Sequence, residues 1–362
     1  MSSFYPRIRI NLTALRKNAS IITGMCAKAG VDVAGVIKVS DGDLLCTRAV
    51  ADSGCAQIAS SRLRHLEKLK DAGIEKPLML IRIPMLSEIK QLAAVADISL
   101  QSEIETLRLL DREAASLDLV HSVILMIELG DLREGIWGNE RMIRVATEVE
   151  KELSHLHLLG VGTNLGCYGS IEPTREKLNE LVAAAELIEN EIGRELEVIS
   201  GGASTSLPRI IDGDMPQRIN HLRIGEEIFL NDLGELYGYQ IPGADRDVFT
   251  LCAEIIELSK KPSYPIGQIT YDAYRNKPEY TDIGDRKRAL LAVGKADYAF
   301  PDQLIPHAEG VSILGASSDH TIIDIEDAPI DYKVGDIVEF NFYYGALLLA
   351  MSSRDIQYEY VE

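Results

Sequence analysis

Two hydrophobic periods alternate along the first two-thirds of the chain. Short apolar runs occur at Val31–Val39, Ala56–Ser60, Pro77–Ile83, Ile98–Gln101, Val123–Leu129, Leu156–Thr163, Leu196–Ser200 and Leu222–Leu230. Their length and β-branched content suit buried strands. Between them, Arg62–Ala72, Ser102–Ser116, Met142–Leu153 and Arg175–Ile192 carry apolar residues at i, i+3 and i+4 spacing, which predicts amphipathic helices. Eight strands, most followed by a helix, predict an α/β chain whose first part is a (β/α)8 TIM barrel. A doubly wound open sheet competes, but it uses fewer strands and a glycine fingerprint after the first. Here the first strand is followed by Ser40-Asp41-Gly42, with no G-x-G-x-x-G, so the barrel is favoured.

The pattern changes near residue 236. Beyond it lie twelve of the fourteen tyrosines and seven of the thirteen prolines, and helical periodicity largely gives way to alternation. The runs Val248–Leu258, Arg288–Val293, Val311–Leu314, Thr321–Ile325 and Ile337–Tyr344, separated by Pro242-Gly243 and Lys333–Asp336, predict a C-terminal β domain. The strand Arg7–Asn11 precedes the first barrel helix and is placed with that domain. The expected division is a barrel over 11–233 and a β-strand domain of 1–10 plus 234–362.

Charge and cysteine content narrow the function classes. Thirty-seven basic against fifty-six acidic residues leave a net charge of −19, which repels phosphate backbones and argues against a nucleic-acid partner. No apolar run approaches the roughly eighteen residues of a membrane helix, so no membrane partner is expected. The opening MSSFYPRIRIN has arginines but no apolar stretch after them, so no secretory leader is expected. Five widely spaced cysteines without C-x-x-C suggest free thiols in a reducing, cytoplasmic setting.

Barrel enzymes carry their chemistry at the C-terminal ends of the strands. Those ends read Lys38, Arg82, Arg133, Asn164, the small-residue loop Gly201–Thr205, and Arg223 before Gly225. Lys38 closes an apolar run, a partly desolvated position suited to Schiff-base chemistry, although a lysine ending a strand is more often only a solvated strand end. Gly201–Thr205 offers backbone N–H groups and two hydroxyls for a phosphate, or is an ordinary βα loop. His155 and His157 alternate without a third ligand at metal spacing, so no metal site is expected. G-x-S-x-G, H-E-x-x-H and the P-loop are absent.

Taken together, these positions resemble the alanine racemase family. Arg9-Ile10-Asn11-Leu12 with Leu15 and Asn18 resembles its first strand and helix. Glu128–Gly135 (ELGDLREG) resembles its D-T-G-M-G-R-L-G, Ala292–Asp297 its I-G-Y-A-D, and Gly315–Asp319 its loop ending Met-Asp. Arg82–Glu88, Gly130–Trp137, Val161–Asn164, Ile199–Gly202 and Gly315–His320 look closer to a branch containing ornithine racemases and related basic or broad-range amino-acid racemases.

The resemblance implies pyridoxal 5′-phosphate as cofactor, carried by Lys38, with Lys38 and Tyr271 as the two catalytic bases and Tyr274 as a nearby rival for the second. Arg133 would reach the cofactor's phenolic oxygen and the substrate carboxylate. Ser204, Thr205 and the Gly225 backbone would hold the phosphate, with Tyr344 also in reach, and Arg223 would face the pyridine nitrogen. Asn164 stands where the alanine-specific pattern has histidine, Gly42 where it has tyrosine, and Ser318 where it has methionine. Ser318 and Asp319 would lie near the substrate, with Asp319 placed to orient Arg133. These changes fit a longer, polar amino acid such as ornithine or lysine, acted on by a homodimer with shared active sites. Alanine or serine racemisation, and a decarboxylase or aldolase on the same scaffold, are the alternatives.

Overall fold

The computed structural model describes residues 4–362, so the first three residues of the expected β-strand domain lie outside the described residues. Strand β1 (Arg7–Asn11) leads into a helix over Leu12–Lys28. Eight parallel strands then close into a barrel: β2 (Asp32–Val36), β3 (Gln57–Ser60), β4 (Leu78–Leu80), β5 (Ile98–Gln101), β6 (His121–Met126), β7 (Leu156–Gly162), β8 (Val198–Ser200) and β9 (His221–Ile224). Closure is made by β2 against β9, with Gly35 opposite Ile224.

Several strands are shorter than their apolar runs because the run is shared between strand and connecting turn. The clearest case is the run expected as one strand over Leu222–Leu230. The strand stops at Ile224, Gly225 turns the chain, and Glu226–Leu230 forms a helical turn. Ile228, Phe229 and Leu230 are apolar because that turn is itself buried. Inside the barrel, Ala34, Val36, Ala59, Met79, Leu100, Ile124 and Met126 pack on one another, as alternate strand residues must when a small barrel fills its own interior.

The two compact units are residues 14–245 and residues 1–13 with 246–362. The stretch 234–245, expected with the β domain, goes with the barrel. Asn18 on the first helix donates to the carbonyl of Asp245 at 2.7 Å and accepts its N–H at 2.7 Å.

The second unit is built on one long strand, β10 (Phe249–Pro262). Its first half pairs with β1 and its second half with β11 (Asp285–Leu291), with a bulge between Ile255 and Glu257. Four further strands, β12 (Leu304–Pro306), β13 (Ser312–Ala316), β14 (Thr321–Asp324) and β15 (Ile337–Phe342), complete the order β12-β15-β10-β11-β14-β13. β16 (Gln357–Val361) runs parallel to β1. A helix over Tyr344–Ala350, which buries Ala346, Leu347 and Ala350, interrupts what the alternation presents as a purely β region.

Two buried histidines open barrel strands. His121, at the head of β6, lies 2.9 Å from Ser99 Oγ, and His221, at the head of β9, lies 2.8 Å from Ser200 Oγ. Burial pulls His121 down to about 4 and His221 to about 3, the latter helped by the Arg223 charge. Unfolded histidine takes up a proton near 6.5 that these rings refuse. Their contribution to stability is therefore complete above pH 6.5 and drains away as the pH falls toward the folded values. His121→Gln keeps a partner for Ser99 and removes the titration. Its thermal melting should lose less between pH 6.5 and pH 4 than the wild type does, by up to about 3 kcal/mol. Parallel melting curves for the two proteins across that range would refute this.

Candidate active site

The motif after β6 is organised by its own carboxylates. Glu128 accepts the N–H groups of Gly130 at 2.6 Å, Leu132 at 3.1 Å and Arg133 at 3.1 Å, which folds the loop back on itself. Asp131 is buried and reaches the loop after β7, accepting from Cys167 at 3.3 Å, Tyr168 at 3.0 Å and Ile171 at 3.3 Å. Burial alone would raise its pKa, but these backbone donors hold it below the ordinary carboxylate value.

This leaves Arg133 at the barrel mouth. It is held side-on by the carboxylate of Glu134, with Nη2 at 2.5 Å from Oε1, while Nη1 donates to Cys167 Sγ at 2.7 Å. Glu134 also accepts from Asn164 Nδ2, and Asn164 Oδ1 accepts from Arg223 Nη2 at 2.6 Å. The amide is thus oriented between an anion and a cation. Arg223 is buried, and donates as well to Ser200 Oγ and to the Thr163 carbonyl at 2.7 Å. Burial lowers its pKa to about 10, with Glu134 opposing, so the guanidinium is still charged at neutral pH.

The phosphate-cradle candidates flank this network. Ser204 is buried in the 3-10 turn Ser204–Ser206 and its Oγ accepts the Glu227 N–H at 3.4 Å. Thr205 Oγ1 donates to the Leu165 carbonyl at 3.1 Å. At Gly225 a Cβ would stand 2.7 Å from the Val36 carbonyl oxygen, so only glycine lets β9 turn this close to β2. Lys38, half-buried, opens the 3-10 turn Lys38–Ser40 after β2. Burial and then Asp232 push Glu226 up to about 7, and Lys38 is near enough to oppose them.

The donor set fits a planar, phosphorylated, ring-nitrogen group. Three hydrogen bonds occupy three of Arg223's five donor hydrogens, leaving Nε and one Nη1 hydrogen for a further acceptor. Small residues and hydroxyls line the neighbouring loop 201–206, and a primary amine stands on the adjoining strand end.

The barrel therefore gathers Lys38, Arg133, Asn164, Ser204, Thr205, Arg223 and Gly225. The other expected residues belong to the second unit. Tyr271 and Tyr274 lie in the connection between β10 and β11, the first with 72% of its surface exposed and the second with 45%. Lys295 Nζ sits 4.0 Å from the centre of the Tyr274 ring. The backbone of Lys295 and Ala296 bonds to Ser317 and Ser318, and Ser318 Oγ donates to Asp319 at 2.8 Å. Tyr274 is thus tied to the Ser318–Asp319 turn through Lys295. Tyr344 opens the helix Tyr344–Ala350 and is half-buried. Arg82 instead grips Glu88 with Nη2 at 2.6 and 2.8 Å, a local clamp.

Sequence reasoning passed over Glu134. Its signal was present: the position after the arginine is apolar in D-T-G-M-G-R-L-G and acidic here.

The sequence profile of the alanine racemase N-terminal domain matches residues 10–231. The chain is 42% identical over 355 residues to an ornithine racemase of Acetoanaerobium sticklandii, covering 98% of this chain and 99% of that protein. It is 36% identical over 357 residues to a lysine racemase of Thermotoga maritima, covering 98% of each. Its fold matches the crystal structure of alanine racemase from Streptomyces lavendulae with a TM-score of 0.78 at 15% identity, over 100% of this chain and 98% of that one. A D-threonine aldolase from Filomicrobium marinum shares the fold at a TM-score of 0.74 and 15% identity, over 96% and 89%.

Cys167 is the exposed cysteine, while Cys26, Cys46, Cys55 and Cys252 are buried. A thiol reagent should titrate one fast group in the native protein and five after denaturation. Cys167→Ser should abolish the fast phase; a fast phase that persists would show that a different cysteine is the exposed one.

Proposed function

The chain belongs to the alanine racemase N-terminal domain family, and from that premise we propose a pyridoxal-phosphate-dependent racemase of a basic amino acid, ornithine or lysine. The observation that carries this reading is the near full-length similarity to an ornithine racemase and a lysine racemase. It is supported by a charged Arg223, an amine at Lys38 and a hydroxyl-lined loop gathered at one barrel mouth.

The chemistry supplied by pyridoxal 5′-phosphate, when bound, is an electron sink that makes an amino acid's Cα proton removable. Lys38, Ser204, Thr205 and the Gly225 backbone would hold it, with Tyr344 as a further phosphate contact and Asn164 keeping Arg223 in place. Arg223 cannot surrender its proton at neutral pH, so a ring nitrogen beside it stays unprotonated. Arg133 presents a fork of fixed charge to a carboxylate. Lys38 Nζ moves a proton on one face of Cα, and the hydroxyl of Tyr271, or of its rival Tyr274, moves one on the other. Ser318 and Asp319 would lie near the substrate, as the family resemblance implies. Gly42, Asn164 and Ser318 reduce side-chain bulk or add polarity compared with the alanine-specific pattern, which suits a longer polar substrate.

A cytoplasmic homodimer with shared sites, Lys38 of one subunit paired with Tyr271 of the other as the family resemblance implies, is part of the proposal. Borohydride reduction and peptide mapping should place the cofactor on Lys38, and Lys38→Ala should lose the visible absorbance. L-Ornithine and L-lysine should lose optical rotation faster than L-alanine; a kcat/KM for alanine above both would end the substrate assignment. Mixing Lys38→Ala with Tyr271→Phe subunits should restore up to about a quarter of wild-type activity, since half the dimers then hold one intact pair. Subunits that exchange yet stay inactive would overturn the shared site.

A further inference from the structure

A serine, an imidazole and a carboxylate line up beside the turn that bears Lys38. Ser60 closes β3, His65 lies on the helix Leu63–Asp71, and Asp41 ends the 3-10 turn that Lys38 opens. His65 Nδ1 is 2.8 Å from Ser60 Oγ, and His65 Nε2 is 3.0 Å from Asp41 Oδ1. This is not a nucleophile. Ser60 is fully buried, and the ring nitrogens face the opposite partners from those of a hydrolytic triad.

The bonds have one consistent direction. The Arg62 N–H donates to Ser60 Oγ at 3.3 Å, the Ser60 hydroxyl donates to Nδ1, and Nε2–H donates to Asp41. Burial pulls the imidazole below its ordinary pKa against the pull of Asp41, so the ring is neutral and its single N–H is committed to that carboxylate.

The backbone at this point needs holding. Asp41 and Gly42 both lie in the left-handed region, with φ of 47° and 69°. Two of the turn's backbone bonds are long, Asp41 N–H to the Lys38 carbonyl at 3.2 Å and Gly42 N–H to the Ile37 carbonyl at 3.4 Å, whereas the next, Asp43 N–H to the Ser40 carbonyl, is 2.9 Å. A Cβ at Gly42 would stand 2.8 Å from His65 Cγ, so the imidazole occupies the room a side chain there would take. Arg64 also reaches Asp41 at 2.5 Å, but from an exposed position where ion pairs contribute little.

We propose that His65, acting through Asp41, is a positioning residue that fixes the Lys38 turn and thereby the site of cofactor attachment. The proposal rests on the reading that Lys38 holds pyridoxal phosphate. Three variants separate its parts. Gln at 65 can place a donor where Nε2 stands, Asn can serve only the Nδ1 position, and Leu only fills the space.

The measurement is cofactor retention by holoenzyme during dialysis, with borohydride trapping at Lys38 and thermal melting in parallel. His65→Leu and His65→Asn should lose cofactor on the order of ten-fold faster than wild type, the scale of one hydrogen bond to a charged group. His65→Gln should retain it nearly as well as wild type. Asp41→Ala should match His65→Leu, and combining the two should add nothing. Wild-type retention in His65→Leu, failure of His65→Gln to rescue, or additive losses would each overturn the brace. Wild-type protein that traps no cofactor on Lys38 overturns the underlying reading, and the brace with it, before any variant is made.

Discussion

A permanent positive charge inside an apolar barrel is the constraint around which this site is arranged. Burying an ion costs several kcal/mol even after relaxation, unless its donors are satisfied and an opposite charge lies near. Arg223 meets both conditions. Ser200, Thr163 and Asn164 accept its hydrogens, and Glu134 supplies the charge through the Asn164 amide. The same carboxylate grips Arg133, so two cations share one anion, and the loops after β6 and β7 and the end of β8 are tied to β9. Removing Glu134 would leave two guanidinium groups facing each other across an amide that has lost its orienting partner.

The acidic residues of the ELGDLREG stretch divide the labour without overlapping. Glu128 folds the loop that Arg133 stands on, Asp131 pins the neighbouring loop by its backbone, and Glu134 aims the guanidinium. Much of the stretch's acidity is structural wiring at the mouth of the barrel, where loops without regular pairing must find partners for their N–H groups.

Periodicity made the barrel legible because apolar runs and amphipathic stretches follow from burial alone. All eight barrel strands lie within the expected runs or start no more than two residues before them. It failed where apolar residues crowd together without a clear period. The run Leu222–Leu230 hides a strand end, a glycine turn and a helical turn, and Tyr344–Ala350 is a helix within a region of alternation. The candidate site residues were legible as types at strand ends, but their partners were not. Glu134 and His65 act through contacts with residues 30 and 24 positions away, at Asn164 and Asp41, and nothing in local spacing encodes those distances.

A fixed charge at Arg223 also bears on which reaction the proposed racemase favours. A titratable acid beside a ring nitrogen could protonate it and deepen the electron sink, prolonging the life of a carbanion and admitting side reactions. Arg223 stays charged up to about pH 10 and offers only a hydrogen bond. With pyridoxal phosphate bound beside it, the sink would be shallow, and prompt return of a proton to Cα would compete well with bond cleavage. The same fold is found in an aldolase, so the scaffold does not dictate the outcome. In this chain the bias toward simple proton exchange would reside in Arg223 and in the carboxylate and amide that make its burial tolerable.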